Sequence, residues 1–301
     1  MISIVSHDAG GAEIISSYVR QNKIDCMCVL AGPAVKIFEG KLGRLHIHDL
    51  KQAISSSEFL LCGTSWQSDI ELEAILIARK FGKKSVAFLD HWVNYRERFI
   101  RLGKTYLPDE IWVGDLLAKE KASAIFPELK VDLVQNPYFL DLKLEIEGLK
   151  NDKLLLSSAR KILYVCEPIR EHALREHGNE RHWGYTEEEA LRYFLANVPS
   201  LGVEIDQIII RPHPSEVDKK YDWVLQEFDL PIYAGGKETL FEELLQSDIV
   251  VGCESMAMIV GLLVGRRVIS SIPIGGSPCK LPHPNIEIMQ ELISVKRRIK
   301  S

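Results

Sequence analysis

The sequence lacks any long hydrophobic run, which argues against a chain that crosses a membrane. Its longest apolar stretches, such as MAMIVGLLV at 256–264, are far shorter than the ~20 residues of a transmembrane helix. The first residues, MISIVS, are typical of a strand and lack the charged and then apolar layout of a signal peptide. We therefore expect a cytoplasmic protein.

Cysteine clusters and metal motifs are also missing. The six cysteines are scattered, mostly within apolar runs, and no CxxC pair or His/Cys group has zinc spacing. This usage indicates small core residues in a reducing compartment. No DxD-like motif is present either, so we expect neither a metal ion nor a separate cofactor.

A basic surplus is absent as well. The net charge of −5 argues against a nucleic-acid partner, because such proteins gain affinity by neutralising phosphates. The composition, 46% hydrophobic and 26% charged, is that of an ordinary globular protein. The short basic stretch 296–300 suits the negative end of a last helix, and weak association with an anionic membrane surface is the alternative.

Short apolar runs alternate with helical patterns nearly throughout, which predicts βαβ units and parallel sheets. In the first half the predicted strands are 2–5, 26–30, 59–62, 85–89, 110–113 and 131–134, with helices at 12–21, 69–81 and 116–125. After a linker at 140–160, strands 161–166, 207–210, 248–251 and 267–272 alternate with helices 186–198, 239–246, 255–264 and 285–299. We predict an α/β fold of two Rossmann-like domains, 1–150 and 151–301, with a ligand-binding cleft between them.

The segment QIIIRPHPSE, residues 207–216, joins a buried strand to a polar loop. The prolines at 212 and 214 end the strand, because proline donates no backbone hydrogen bond. Open α/β sheets bind ligands in loops at the carboxyl ends of their strands. Arg211 offers a fixed cation and His213 a donor, so these residue types predict an anion site.

A second candidate site, SHDAGGAE, follows the first strand and opens the first helix. Gly10 and Gly11 allow the backbone to approach a ligand closely, with free helix N–H groups facing it. The motif is not GxGxxG, so a dinucleotide site is not expected. Either His7 or Asp8 is a candidate general base. The alternative is that Asp8 only caps the helix and His7 is a satisfied loop histidine.

Two more polar loops follow strands of the first half. In GTSWQSD, residues 63–69, Thr64, Ser65 and Gln67 can hydrogen-bond a polyhydroxylated ligand, and Trp66 can stack on it. In LDHWVNY, residues 89–95, Asp90 and His91 add more polar groups than a connecting loop needs. We predict that both loops line the acceptor side of the site. The alternative for the first loop is an ordinary polar loop with Trp66 in the core. For the second loop the alternative is that its aromatic residues fill the domain interface and that Arg96 and Arg98, which follow it, are solvated.

The fourth candidate is SDIVVGCES at 247–255, where a buried strand runs into an apolar helix. Ser255 is a good N-cap, and the first N–H groups of that helix predict a phosphate site that includes Gly252 and Glu254. A purely structural cap is the alternative. The acids in DIELE, residues 69–73, are interpreted as a solvated helix start rather than as catalytic groups.

These segments resemble the GT-B superfamily. PDEIWV at 108–113 and VDLVQNP at 131–137 are similar to the strand and Asn-Pro turn that often close the first GT-B domain, and RPHP, SDIVVGCES and GRRVIS are similar to its donor half. An Arg/His-Pro element of this kind occurs in bacterial sialyltransferases and CDP-glycerol glycerophosphotransferases, where it holds the donor phosphate together with a later serine. The sequence departs from them in lacking the acidic-acidic-Gly motif of the sialyltransferase base, and it lacks the Arg-Pro-Glu opening of the 2-epimerases. The resemblance implies donor-phosphate roles for Arg211, His213 and Pro214, with Ser255 as the serine and Ser270–Ser271 as second choice.

Together these features predict an inverting, metal-independent glycosyltransferase that uses a nucleotide-sugar donor in surface-polysaccharide or lipopolysaccharide biosynthesis. Arg211 and His213 would stabilise the leaving phosphate, and Asp8 or His7 would deprotonate a glycan or lipid-linked acceptor. A nucleotide-sugar hydrolase or epimerase on the same fold is one alternative. A non-catalytic nucleotide-sugar-binding protein is the other.

Overall fold

The computed structural model describes residues 1–65, 68–149 and 160–300, the side chains of 147–149 and 297–300 excepted. It divides into two compact units, Met1–Glu145 (unit 1) and Ile146–Ser301 (unit 2). Each unit contains a six-stranded sheet, so the predicted α/β class with two Rossmann-like parallel sheets is confirmed. Of the predicted linker, residues 140–149 belong to a helix and residues 150–159 lie outside the described part of the chain.

Unit 1 combines short, buried strands with helices that connect them. The strands are β1 (Ile2–Ser6), β2 (Cys26–Leu30), β3 (Phe59–Cys62), β4 (Lys84–Leu89), β5 (Ile100–Arg101), β6 (Lys104–Thr105), β7 (Glu110–Val113) and β8 (Lys130–Leu133). The helices are α1 (Ala9–Asn22), α2 (Pro33–Leu42), α3 (Leu50–Ser55), α4 (Ile70–Lys80), α5 (Leu116–Ile125) and α6 (Pro137–Leu149). The main sheet is parallel, in the order β2-β1-β3-β4-β7-β8, and β5 and β6 form a separate hairpin.

Unit 2 repeats this design. Its strands are β9 (Arg160–Val165), β10 (Ile205–Arg211), β11 (Ile232–Ala234), β12 (Ile249–Gly252), β13 (Arg267–Ser270) and β14 (Ile286–Ile288). Its helices are α7 (Ile169–His177), α8 (Glu187–Asn197), α9 (Val224–Glu227), α10 (Leu240–Leu245), α11 (Met256–Leu263) and α12 (Met289–Lys300). The sheet is parallel, in the order β11-β10-β9-β12-β13-β14.

The strand order reverses once in each sheet, and the reversal determines which loops are neighbours. In unit 1 it falls between β1 and β3, and in unit 2 between β9 and β12. The connections on either side of such a point run to opposite faces of the sheet and leave a crevice at the carboxyl ends of the strands. The five loops singled out in the sequence follow strands that lie at or next to these two points.

Both sheets are buried on both faces, as continuous apolar strands require. Ile4, Leu61 and Phe88 are fully buried in unit 1, and Ile162 and Val251 are fully buried in unit 2. Each unit therefore has a core of its own. Among the described residues, no helix is both long and apolar enough to cross a bilayer.

The structure corrects several predicted elements. Helices α2 and α3 were not predicted, although α2 begins with a proline at a position that favours helix starts. Helix α7 lies in a charged segment that carried no predicted element. The predicted last helix is a strand, β14, followed by α12. Residues 286–288 adopt a strand because they pair with β13 and bury Ile286. The helical pattern of the sequence did not show this stabilising contact.

Candidate functional site

Two loops of unit 1 leave the sheet side by side, because β1 and β3 are neighbours at the reversal of strand order. The loop after β1 carries His7 and Asp8, and the loop after β3 carries Thr64 and Ser65. The backbone N–H of Asp8 donates to Ser65 Oγ at 3.3 Å. The two predicted polar loops are therefore joined directly.

His7 and Asp8 form a hydrogen-bonded pair. His7 Nδ1 lies 2.7 Å from Asp8 Oδ1, and the two side chains are only 17% and 24% exposed. A carboxylate at Nδ1 favours the tautomer with hydrogen on that atom, which leaves Nε2 as a proton acceptor. The imidazole packs against Gly32, where a Cβ would lie 2.6 Å from Nε2. Asp8 precedes α1 but its side chain makes no capping hydrogen bond within the described residues, so the purely capping alternative is not observed.

Glu71, in the first turn of α4, holds both loops. Its Oε1 accepts a hydrogen bond from the backbone N–H of His7 at 2.9 Å and another from Ser65 Oγ at 2.5 Å. Glu71 is only 2% exposed, and burial raises the pKa of its carboxyl group. The interpretation of this acid as a solvated helix start is therefore wrong, whereas Glu73 in the same helix is exposed as expected.

Asp90, in the loop after β4, lies against the start of α1. A Cβ on Gly10 would fall 1.9 Å from Asp90 Oδ2, so only glycine leaves room for this carboxylate. The other oxygen, Oδ1, accepts from Nη1 of the buried Arg98 at 2.7 Å, and the same nitrogen donates to Thr64 Oγ1 at 2.9 Å. Arg98 thus joins Thr64 to Asp90, and Asp90 in turn packs against Gly10, so residues from three separate motifs are neighbours.

The aromatic residues of the β4 loop are structural. Trp92 and Tyr95 are 3% and 1% exposed, so they belong to the interior of unit 1. Burial lowers the pKa of His91 to about 4, and its Nδ1 has no hydrogen-bond partner among the described residues. Two residues that the sequence placed in this site, Trp66 and Gln67, lie outside the described residues.

In unit 2, the RPHP segment leaves β10 beside a pocket of about 470 Å³. His213 Nδ1 accepts from the backbone N–H of Ser215 at 3.2 Å and lies 2.8 Å from its Oγ. Because Nδ1 is an acceptor, the ring hydrogen is on Nε2, which can donate to a ligand. Burial lowers the pKa of His213, which favours this neutral form. Glu216 steadies the loop by accepting from the backbone N–H of His213 at 2.8 Å and from Tyr221 Oη at 2.6 Å.

Exposed apolar side chains form part of the lining of this pocket. Tyr233, the middle residue of β11, is 53% exposed, and Val217 and Leu225 are 70% and 63% exposed. Charged residues of both signs also line the pocket, namely Lys219, Lys220, Glu216, Asp218 and Asp222. Lys220 forms ion pairs with Glu187 and Glu216. An exposed aromatic ring in the same pocket as a histidine donor suits a ligand that has both a flat ring and a hydrogen-bond acceptor.

Arg211 forms an ion pair with a buried acid, Glu243. Its Nη1 donates to Glu243 Oε2 at 2.7 Å and to the carbonyl oxygen of Glu238 at 3.0 Å. Glu243 is 4% exposed, and its other oxygen accepts from the N–H of Gly236 at 2.6 Å. The pair therefore ties the end of β10 to one wall of the pocket. A phosphate contact for Arg211 remains a prediction.

The N–H groups between β12 and α11 are occupied by a side chain of the same unit. Glu167, at the end of β9, accepts through Oε1 from the N–H groups of Cys253 and Glu254, both at 2.9 Å. Burial raises the pKa of Glu167 to about 7. The carboxylate thus takes up donors of the loop where the sequence placed the donor phosphate, and a phosphate role for Gly252 and Glu254 requires it to move.

The serines proposed to support that phosphate have local partners. Ser255 caps α11 by accepting from the N–H of Ala257 at 3.2 Å. Ser270 and Ser271 are buried and donate to the carbonyl oxygens of Cys253 and Gly252 at 2.8 and 3.1 Å. Ser270 and Ser271 therefore brace the loop after β12, and Ser255 makes the N-cap contact of the structural alternative. A phosphate contact for any of these serines remains a prediction.

Glu71, Glu167 and Tyr233 are among the residues that the sequence did not assign to the site. Glu71 had a detectable signal, since it lies four residues before the buried Ile75 and so shares the apolar face of α4. Glu167 lies two residues after the buried strand β9, close to the kind of position that His7 has after β1. Tyr233 had none, because β11 is short and its pairing with β10 is a tertiary contact.

The sequence matches no protein-family model and no curated protein. Solved structures match the fold. The UDP-GlcNAc 2-epimerase from Neisseria meningitidis, bound to UDP-GlcNAc, is 12% identical with a TM-score of 0.59, covering 99% of this chain and 91% of its own. A putative UDP-N-acetylglucosamine 2-epimerase from Listeria monocytogenes is 13% identical with a TM-score of 0.58, covering 99% and 88%. The glycotransferase of kitacinnamycin is 13% identical with a TM-score of 0.50, covering 98% and 83%. At these identities the likeness shows the fold alone, which is GT-B-like.

Proposed function

We propose that the chain is an inverting, metal-independent glycosyltransferase that transfers a hexosyl or sialyl-like group from a nucleotide-sugar donor. The observation that carries the proposal is the pocket of about 470 Å³ beside His213, whose size is that of small-molecule sites. It lies in a fold shared with a glycotransferase and with sugar-nucleotide enzymes. The acceptor is a glycan or a lipid-linked glycan of surface-polysaccharide or lipopolysaccharide assembly, made in the cytoplasm.

In this proposal unit 2 binds the donor. The half-exposed ring of Tyr233 provides a face on which a nucleobase stacks. Nε2–H of His213 donates to a phosphate oxygen and stabilises the negative charge that develops as the nucleotide leaves. The remaining donor-side residues are Arg211, Pro214, Gly252, Glu254 and Ser255.

Unit 1 supplies the base. His7 Nε2 takes the proton of the acceptor hydroxyl, and Asp8, hydrogen-bonded to Nδ1 at 2.7 Å, orients the ring and stabilises the imidazolium that forms. Of the two candidates left open by the sequence, this geometry favours His7 as the base. Gly10, Gly11, Thr64, Asp90 and His91 form the acceptor side.

A nucleotide-sugar hydrolase or epimerase is the second candidate. Two of the structures similar to this chain are a UDP-GlcNAc 2-epimerase and a putative one, and both align over 99% of it. Such an enzyme uses the same donor pocket and needs no acceptor. The two reactions therefore differ in whether nucleotide release depends on a second substrate.

The test is a panel of CMP-, CDP-, UDP-, GDP- and dTDP-sugars, with nucleotide release followed with and without glycan acceptors. Acceptor-dependent release supports transfer, and release or isomerisation without an acceptor supports the second candidate. Tight binding without turnover of any donor supports a non-catalytic binding protein.

Two variants separate the roles of the units. His213→Ala should weaken donor binding about tenfold or more, since it removes a hydrogen bond to a charged group. His7→Ala should leave donor affinity unchanged and reduce turnover by about 100-fold or more. The exposed His46 and His177 are matched controls whose replacement by Ala should change neither quantity. Unchanged donor affinity in His213→Ala would refute the donor site.

A further inference from the structure

Glu71 is a carboxylate buried without a cation. It is 2% exposed, and among the described residues no lysine, arginine or histidine forms an ion pair with it. Its Oε1 accepts two hydrogen bonds, and its Oε2 is buried with no partner in the described part of the chain. Burying such a group is unfavourable for folding, so a purely structural position would be better filled by an apolar residue.

The start of α4 does not need Glu71. A carboxylate in the first turn stabilises a helix through the macrodipole, and the exposed Glu73 supplies one in the same turn. An apolar residue at position 71 would also continue the buried face that contains Ile75 and Ala78. What an apolar residue cannot provide is an acceptor for the two loops above this helix.

Those loops carry the His7–Asp8 pair. Glu71 Oε1 receives the backbone N–H of His7 directly, and Ser65 connects it to the backbone N–H of Asp8. One carboxylate oxygen therefore determines the backbone position of both members of the pair. The pair's own hydrogen bond at 2.7 Å joins side chains of adjacent residues, so its direction depends on how this backbone is held.

We propose that Glu71 is a positioning residue for the His7–Asp8 pair, acting through Ser65 and the backbone, an inference that rests on His7 being the base of the proposed reaction. Glu71 is 2% exposed and reaches the pair through the two loops. Its effect should therefore appear in kcat and not in the KM of the donor, which is bound by unit 2.

The experiment compares four variants of the full chain in the donor assay. Glu71→Ala should reduce kcat by about 10- to 100-fold with the donor KM unchanged, since small displacements of a base have effects of that size. Glu71→Gln keeps an acceptor oxygen and should restore kcat to within about threefold of the wild type. Ser65→Ala, which removes the hydroxyl between Glu71 and the N–H of Asp8, should reduce kcat by about threefold to tenfold. Glu73→Ala is the control and should change nothing.

A second readout does not require turnover. A hydrogen bond deshields an amide proton, so the resonance moves upfield when the acceptor is removed. In ¹H–¹⁵N NMR spectra the amide proton of His7 should therefore move upfield in Glu71→Ala and remain near its wild-type position in Glu71→Gln. An unmoved His7 amide and full kcat in both Glu71→Ala and Ser65→Ala would overturn the positioning role while leaving the proposed reaction intact. A wild-type chain that turns over no donor would instead refute the proposed function, and the NMR comparison would still decide whether Glu71 holds the loop.

Discussion

At the scale of single residues, two glycines allow side chains from other positions to reach the first unit's site. Gly10 makes room for the Asp90 carboxylate at the start of α1, and Gly32 makes room for the His7 imidazole. Gly32 also has φ 54° and ψ −140°, a backbone conformation that only glycine adopts readily. The position of the proposed base, His7, thus depends on Gly32, a residue without a reactive side chain.

We expect Gly32→Ala to displace the imidazole of His7 and to reduce turnover while donor affinity stays unchanged. The added Cβ would lie 2.6 Å from His7 Nε2, and the backbone conformation adds about 1–3 kcal/mol of destabilisation. Donor titration, steady-state kinetics and chemical denaturation measure the three effects.

Gly40→Ala is the matched control in the neighbouring helix. Its Cβ would have no atom within 4 Å, and it lies inside α2, so it should stabilise the protein by about 1 kcal/mol without affecting turnover. Full activity in Gly32→Ala would contradict the importance of the ring position.

At the scale of elements, the loop between β12 and α11 is organised by an acid from another strand. Glu167 reaches across from β9 because β9 and β12 are neighbours at the reversal of strand order. The pKa of Glu167 is raised to about 7 because its carboxyl group is buried, and this outweighs the N–H groups that favour its charge. A buried acid at the crevice where such sheets bind ligands is therefore partly protonated near neutral pH.

This shift predicts a dependence of stability on pH. The folded-state pKa of about 7 lies above the ordinary 4.5, so the stability contributed by protonated Glu167 is full below pH 4.5 and is lost as the pH rises through 7. The Glu167→Gln variant keeps an acceptor and cannot ionise. The wild type should therefore lose stability between pH 5 and pH 7.5, whereas the variant should not lose this contribution. The difference in the free energy of unfolding, variant minus wild type, should grow by about 2 kcal/mol over this range, as measured by urea denaturation. A constant difference between Glu167→Gln and the wild type over this pH range would refute the shift.

At the scale of the whole molecule, each unit has its own sheet and its own buried cluster. The core of unit 1 includes Ile4, Phe38 and Phe88, and that of unit 2 includes Phe194 and Ile208. Each has the length of an ordinary independent domain. The residues lining the pocket beside His213 all belong to unit 2.

We therefore expect residues 1–149 and 160–301, expressed separately, each to unfold in one cooperative thermal transition followed by circular dichroism. The second piece should bind the donor nucleotide with an affinity within about threefold of the full chain, because its pocket is complete. Loss of nucleotide binding by a folded 160–301 piece would show that the donor site needs residues of unit 1.

Much of this architecture was predictable from local patterns. Apolar runs such as those at 2–5 and 248–251 predicted strands whose bounds differ by one residue from the structure, because a strand buried on both faces leaves a continuous apolar signature. The positions of His7, Thr64, Asp90 and His213 at strand ends followed from the same signal. Helices α2 and α3 and strand β14 were missed, because short elements owe their stability to packing and pairing rather than to their own pattern.

The sequence by itself determined the fold class and the strand ends at which chemistry can occur, since both depend on the order of short local patterns. Only the tertiary structure decided which of those ends are neighbours and what fills the space between them. Sequence alone could not show that Glu71 holds His7 and Ser65, that Arg98 joins Asp90 to Thr64, or that Glu167 occupies donors before α11. Each of these contacts depends on strand order and burial. The residue type alone does not show whether a carboxylate is buried or solvated.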